Sequence, residues 1–108
     1  MLSTGEAFLA RAAIQVSIAL LDGSRAILID IDRPLDAWAI DAVIGLLDVV
    51  TGAEGSPIAF ALLAITLTKP TQAPDLSLIG PGCISYWVDG GAVTDLASAK
   101  AGPAREAA

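Results

Sequence analysis

Carboxylates are the side chains in this sequence that are most able to take part in catalysis, because the chain contains no histidine. The absence of histidine removes Ser–His and Cys–His nucleophile pairs and the usual general base near neutral pH. The single cysteine, Cys83, cannot form an intrachain disulfide or a zinc site by itself. Because Cys83 lies among apolar residues, we expect an inert core thiol. The sequence therefore predicts no metal site and no cofactor.

The carboxylates that most resemble a catalytic pair are Asp30 and Asp32, which end the apolar stretch 27–32, ILIDID. This stretch resembles the first motif of haloacid-dehalogenase-type phosphatases, in which a strand delivers a nucleophilic and an acid–base aspartate to magnesium. The family motif continues toward Gly-Thr, whereas Arg33-Pro34 follows here, and the chain is too short for that fold. Alternation also places both aspartates opposite the isoleucines, where solvated residues belong. We predict no catalytic residue.

The net charge is −6, and most of it comes from the acidic segment, residues 22–54. Nucleic-acid binding needs clustered Lys and Arg, so this charge balance argues against it, and equally against anchoring to anionic lipid. A partner with a basic surface would be steered toward the acidic segment. Within it, Asp41 and Asp48 lie two turns apart on one strip of a predicted helix, shortly after Asp36.

That helix is predicted to begin around residues 32–34, with Asp32 as cap, and to end at Gly52 in a left-handed conformation. Apolar residues cover most of its circumference, so we expect it to be covered on most sides. Residues 58–68 are also apolar without a polar side, and their pattern fits either a buried helix or a buried strand. Such segments belong in a core or against a partner.

Residues 4–21 have two interpretations. The segment 3–6, STGE, has the spacing of a capping box, which predicts the start of a helix. From residue 14 large apolar residues alternate with Gln15, Ser17 and Ala19, and an Asp-Gly turn signal follows. This favours a β-hairpin that pairs residues 14–21 with 25–32. The alternative is one helix that continues to residue 21 and is stopped by Gly23.

The C-terminal part is predicted to contain a second hairpin. Residues 83–89 have the composition of a strand, and Gly90-Gly91 could turn the chain back. Tyr86 and Trp87 are neighbours on this strand, so they point to opposite faces and at most one is an exposed anchor. Residues 97–108 are small and polar, and we expect this tail to be disordered when alone.

The predicted fold class is α+β, with a mostly α fold as the alternative. It is a small single domain over residues 1–96, with an N-terminal β-hairpin, one or two buried apolar helices and a C-terminal hairpin. The N-terminus resembles a signal peptide only faintly, because it lacks a basic start and contains Glu6 and Arg11. We expect no signal peptide, no membrane span, and a cytoplasmic or virion location.

The apolar fraction is 55%, which is difficult for a domain of 108 residues to hide internally. We therefore expect a non-enzymatic structural or assembly protein in a homo-oligomer or with other chains, such as a decoration or head–tail connector protein of a phage virion. One alternative is an acidic inhibitor or immunity-type module that presents the acidic segment. Another is a small oligomeric α+β enzyme with an aspartate in an apolar pocket. The predicted interaction residues are Asp36, Trp38, Asp41, Asp48, Tyr86 and Trp87.

Overall fold

The computed structural model describes residues 3–74 and 83–101. The chain forms two compact units, unit 1 over Met1–Thr66 and unit 2 over Leu67–Ala108. Helices and strands occur together, which confirms the α+β class. The elements in chain order are α1 (Thr4–Asp22), β1 (Ala26–Ile31), α2 (Ala37–Gly52), β2 (Phe60–Ile65), a 3-10 turn (Pro70–Gln72), β3 (Tyr86–Asp89), β4 (Ala92–Asp95) and α3 (Leu96–Ala101).

Helix α1 is continuous, so the predicted hairpin of residues 14–21 with 25–32 is wrong and the single-helix alternative is correct. The Ser3 hydroxyl accepts a hydrogen bond from the Glu6 backbone N–H at 3.1 Å, and the Glu6 carboxylate accepts one from the Ser3 N–H at 3.3 Å. Gly23 ends the helix in the left-handed region, with φ 73°. The Asp-Gly pair is therefore a helix end, because a glycine C-cap and a hairpin turn both need positive φ.

The capping box makes a measurable contribution to α1. Replacing Ser3 with alanine removes the acceptor for the Glu6 N–H, and we expect the free energy of unfolding to fall by about 1 kcal/mol. Ser17→Ala is the matched control, because the Ser17 hydroxyl only donates back to the Ala13 carbonyl within the helix. Denaturant unfolding measures both variants, and equal losses would contradict a specific role for the cap.

Unit 1 is built on a parallel pair of strands joined by α2. The register runs from Ala26 opposite Phe60 to Ile31 opposite Ile65. The open question for residues 58–68 is thus decided in favour of a strand, β2. Along β1, buried and exposed residues alternate, and the isoleucines face the core. The core cluster combines residues of both helices with the inner face of the sheet: Ala12, Val16, Ile27, Ile29, Val43, Leu47, Val50 and Ile58.

Helix α2 differs from its prediction at both ends. Its N-cap is Asp36 rather than Asp32, and the Asp36 side chain makes no capping hydrogen bond. The chain needs the intervening residues to reverse direction after β1, because a crossover helix runs antiparallel to the strands that it connects. At the other end Gly52 is still helical, and the next residue, Ala53, is extended with φ −70°. The predicted left-handed end at Gly52 is therefore wrong.

Unit 2 contains the predicted C-terminal hairpin, with β3 and β4 antiparallel and Val88 opposite Val93. Gly90 and Gly91 have φ 56° and 82°, the two positive values that a type I′ turn requires. Cys83 is exposed, so the expectation of a core thiol is wrong. Cys83 precedes the hairpin, and its apolar neighbours in the sequence do not shield it from solvent.

Helix α3 begins at Leu96, the last residue of the predicted domain, and continues into the segment predicted as a tail, residues 97–108. Leu96 is buried at its start, and residues up to Ala101 are helical. Residues 102–108 of that tail lie outside the described residues. The predicted domain boundary at residue 96 stays a prediction.

Candidate interaction surfaces

The first candidate surface is an apolar stripe along the outside of α1, which we call the helix stripe: Arg11, Ile14, Ile18 and Leu21. Its aliphatic members are 60%, 61% and 90% exposed. The spacing of three, four and three residues is that of the seam of a left-handed coiled coil. On the other side of the same helix, Ala12 and Val16 are buried in the core. The helix is therefore apolar on two opposite sides.

The surface of the helix stripe is not flat. Arg11, Ile14, Gln15 and Ile18 line a shallow, open depression. The four residues have the spacing i, i+3, i+4 and i+7, and four residues at this spacing form the hole that receives a side chain from a facing helix. The stripe thus has the local shape of a helix-packing surface as well as its composition.

Gln15 holds α1 beside the edge of the sheet. Its side-chain amide donates a hydrogen bond to the Leu28 carbonyl at 2.7 Å. The carbonyls of Arg25 and Ile31 accept hydrogen bonds from the β2 side. Because backbone groups alternate along a strand, the Leu28 carbonyl points away from β2, to the outer edge of β1. Gln15 therefore satisfies an edge group and fixes the orientation of the helix stripe.

The second candidate surface is the outer side of the two-stranded sheet, which we call the sheet face: Leu28, Phe60 and Leu62. These side chains are 56%, 61% and 61% exposed. Leu28 lies opposite Leu62 in the register, and Ala26 lies opposite Phe60. Both helices pack on the inner side with the isoleucines. Parallel strands are normally covered on both faces, so the sheet face lacks a layer among the described residues.

Most of the predicted interaction residues lie on or near α2. Asp36 occupies the N-cap position of this helix, and Asp41 and Asp48 are exposed on its outer side together with Gly45. The buried residues of α2 form one face, and residues 42, 44, 46 and 51 beside it are half-buried. The described residues therefore cover only part of the helix, and the expectation that most sides are covered stays a prediction. The buried residues are Ala39, Ile40, Val43, Leu47 and Val50.

Trp38 has a structural contact that the sequence did not indicate. It is 47% exposed, yet its ring lies against Gly5 of α1. A Cβ added at Gly5 would be 3.0 Å from Cζ2 of Trp38 and 3.1 Å from the Ala39 Cβ. The tryptophan thus contributes to packing between the two helices, and only the remainder of its ring is available to a partner.

Tyr86 and Trp87 lie in unit 2 and point to opposite faces of the hairpin. Tyr86 is 63% exposed and shares its face with Val88 and Val93, whereas Trp87 is half-buried. This agrees with the expectation that at most one ring is an exposed anchor, and the exposed ring is that of Tyr86. The interaction role of both residues stays a prediction.

Sequence reasoning missed the helix stripe. It indicated residues 58–68 as a segment for the core or for a partner, but it did not identify their outward side or its continuation to Leu28. The heptad spacing of Arg11, Ile14, Ile18 and Leu21 was visible in the sequence, but the assignment of residues 14–21 to a strand concealed it. The sheet face has a weaker signal, because the outward Leu28, Phe60 and Leu62 have the same apolar character as inward residues. Only the pairing of β1 with β2 distinguishes the two sides.

The carboxylates at the end of β1 form no concentrated site. Asp30 is exposed, and Asp32 pairs with Arg33 at 3.4 Å between Oδ1 and Nε. Within residues 3–74 and 83–101, no group of three or more His, Cys, Asp and Glu is close enough to hold a metal ion. No polar or charged side chain of the described residues is buried. An enzyme with an aspartate in an apolar pocket therefore finds no support in this part of the chain.

Helix α1 is long and apolar enough to cross a membrane, and 17% of its 18-residue apolar stretch is buried. Core helices of soluble proteins and N-terminal signal sequences pass the same test, so this is weak evidence. The expectations of no membrane span and no signal peptide stay predictions.

Comparison with known proteins adds no functional information. No family model matches the chain, and neither a curated protein nor a solved structure matches it significantly. The functional argument therefore depends on the helix stripe, the sheet face and the charge around them.

Proposed function

We propose that this chain is a non-enzymatic assembly protein that functions as a subunit of a homo-oligomer or a larger complex. The observation that carries this proposal is the sheet face. Within the described residues, this parallel sheet has helices on one side and exposed Leu28, Phe60 and Leu62 on the other, which is half of the covering that such sheets require. A second chain would supply the missing layer.

The energetic argument concerns the apolar side chains that remain in water. Full burial of a leucine or phenylalanine side chain stabilises a protein by about 1.5–3 kcal/mol. Leu28, Phe60 and Leu62 are each more than half exposed, so much of that stabilisation is absent from the isolated chain. A two-stranded sheet is also marginal without packing on its faces. Association through the sheet face would increase both the buried area and the stability of unit 1.

The acidic residues fit a supporting role in an assembly. Every aspartate and glutamate of the acidic segment, residues 22–54, is exposed. Charge of one sign keeps an apolar subunit dispersed and prevents indiscriminate association. A phage virion component of the decoration or connector type is one assembly that would use such a subunit. The same exposure favours the second candidate, an acidic module that binds a basic protein.

The first test is the mass of the native species, measured by native mass spectrometry and light scattering. We expect a multiple of the 10.9 kDa chain mass. The double variant Leu28→Lys/Leu62→Lys places charge on the sheet face without touching the core, so it should shift the chain to a smaller species. Val49→Lys is the matched control, because Val49 is 66% exposed on α2 and lies outside the sheet face. It should retain the wild-type mass.

Two results would overturn self-assembly through the sheet face. A wild-type chain that stays monomeric at high concentration excludes self-assembly, and salt-sensitive binding of that monomer to a basic protein establishes the acidic-module alternative. An oligomer whose mass is unchanged by Leu28→Lys/Leu62→Lys shows that the sheet face is not the contact. Circular dichroism of each variant confirms that the helices remain folded.

A further inference from the structure

We infer that the helix stripe of α1 is a homodimer contact, in which α1 packs antiparallel against α1 of a second copy. This inference rests on the proposed function and names one of the contacts by which the subunit would assemble. It uses a surface that is separate from the sheet face. The inference is carried by an exposed heptad seam that begins with a cation and ends next to an acid. The seam consists of Arg11, Ile14, Ile18 and Leu21, and Asp22 follows it.

The shape of the stripe favours a helix as the facing element. Ile14 and Ile18 lie next to the depression that Arg11 and Gln15 complete. If a second α1 packs antiparallel on the stripe, with the two-fold axis at the level of residue 16 along the helix, Ile14 of each copy contacts Ile18 of the other. Four isoleucines then interdigitate as knobs in holes, which removes Ile14 and Ile18 of both copies from water.

Charge complementarity selects a second copy and the antiparallel direction. The same arrangement brings Arg11 of one copy opposite Leu21 and beside Asp22 of the other, twice in each dimer. In a parallel pair Arg11 would instead meet Arg11, and Asp22 would meet Asp22. The acidic chain offers few cations to a partner. Arg11, a cation within the stripe, therefore has a specific complement in Asp22 of a second copy of the same chain.

The C-terminus of α1 provides a second reason for the same arrangement. The last turn of α1 contains no basic residue and ends at Asp22, where the helix dipole already concentrates negative charge. Arg11 of the second copy would supply the missing cation. Within one chain Arg11 cannot do so, because eleven residues of helix separate it from Asp22 by about 16 Å.

The deciding experiment is a charge swap measured by sedimentation equilibrium in the Leu28→Lys/Leu62→Lys background, where the sheet face no longer contributes. We expect this background to form a dimer, and Arg11→Asp or Asp22→Arg to raise its dissociation constant roughly fivefold to tenfold. The combined Arg11→Asp/Asp22→Arg variant should restore most of the affinity. Since the two side chains are far apart in one chain, such a rescue requires a second copy.

Ile18→Lys should abolish the dimer, whereas Ala13→Lys, a substitution at an exposed position of α1 outside the helix stripe, should leave it unchanged. A background that is monomeric while the wild-type chain is oligomeric overturns the helix contact and leaves the proposed function standing. A dimer without rescue overturns the antiparallel arrangement. Binding of the chain to phosphatidylcholine vesicles that is lost in Ile18→Lys, with no dimer in solution, assigns the stripe to lipid and overturns the inference.

Discussion

Replacing Ile29 with alanine is expected to lower the free energy of unfolding by about 3 kcal/mol, near the middle of the range for large-to-small core substitutions. Ile29 is 2% exposed and belongs to the core cluster, which combines the inner face of the sheet with residues of both helices. The carbon atoms that are lost leave a cavity. The two parallel strands and the two helices cannot close it without moving together. A loss of this size is a large fraction of the 5–15 kcal/mol that typically stabilises a domain.

Leu28→Ala is the matched control for Ile29→Ala. Leu28 is the preceding residue of β1 and points to the sheet face, where it is 56% exposed. In a monomeric sample we expect a change within about 0.5 kcal/mol. Denaturant unfolding followed by the circular dichroism of the helices measures both variants. Equal losses in the monomer would mean that the side chains of β1 are assigned to the wrong faces. In the assembled protein Leu28→Ala should instead weaken association.

Replacing Gly5 with leucine is expected to destabilise unit 1 by roughly 1–3 kcal/mol, as overpacking does. Gly5 is buried where the first turns of α1 and α2 meet, and an added Cβ would already be 3.0 Å from the Trp38 ring. The remaining atoms of leucine have to displace Trp38, which separates the two helices. The change should also appear in the near-ultraviolet circular dichroism of the tryptophan.

Gly45→Leu is the control for this effect, because Gly45 lies inside α2 with no heavy atom within 4 Å of an added Cβ. There the substitution should stabilise the helix by roughly 0.8 kcal/mol through helix propensity alone. The two glycine variants are therefore predicted to have opposite signs. Stabilisation by Gly5→Leu would show that the helices do not approach each other closely at this point.

Several local features could be predicted from the sequence because each depends on neighbouring residues. The Ser3–Glu6 capping box, the alternation of isoleucines in β1 and the Gly90-Gly91 hairpin turn are all present where short-range stereochemistry places them. The solvated position of Asp30, opposite the isoleucines, was also predicted from alternation. These features require no knowledge of what the segments pack against.

The error at residues 14–21 has a specific physical cause. Val16 faces the core while Ile14 and Ile18 face outward, so two apolar stripes on opposite sides of one helix imitate the period of a strand. A helix in an isolated monomer is expected to have one apolar side. The second side of α1 produced the wrong prediction, and the same feature forms the helix stripe.

By itself, the sequence determined the α+β class, the excess of apolar residues, the acidic balance and the start of α1, because composition and local stereochemistry suffice for these. Tertiary structure decided the parallel pairing of β1 with β2, the strand at residues 60–65 and the side of each helix that is left exposed. Residues 58–68 fit a buried helix or strand equally well, and only pairing with a distant segment distinguishes the two. Which apolar side chains remain in water depends on the same long-range contacts, so the candidate interaction surfaces could not be located from local patterns.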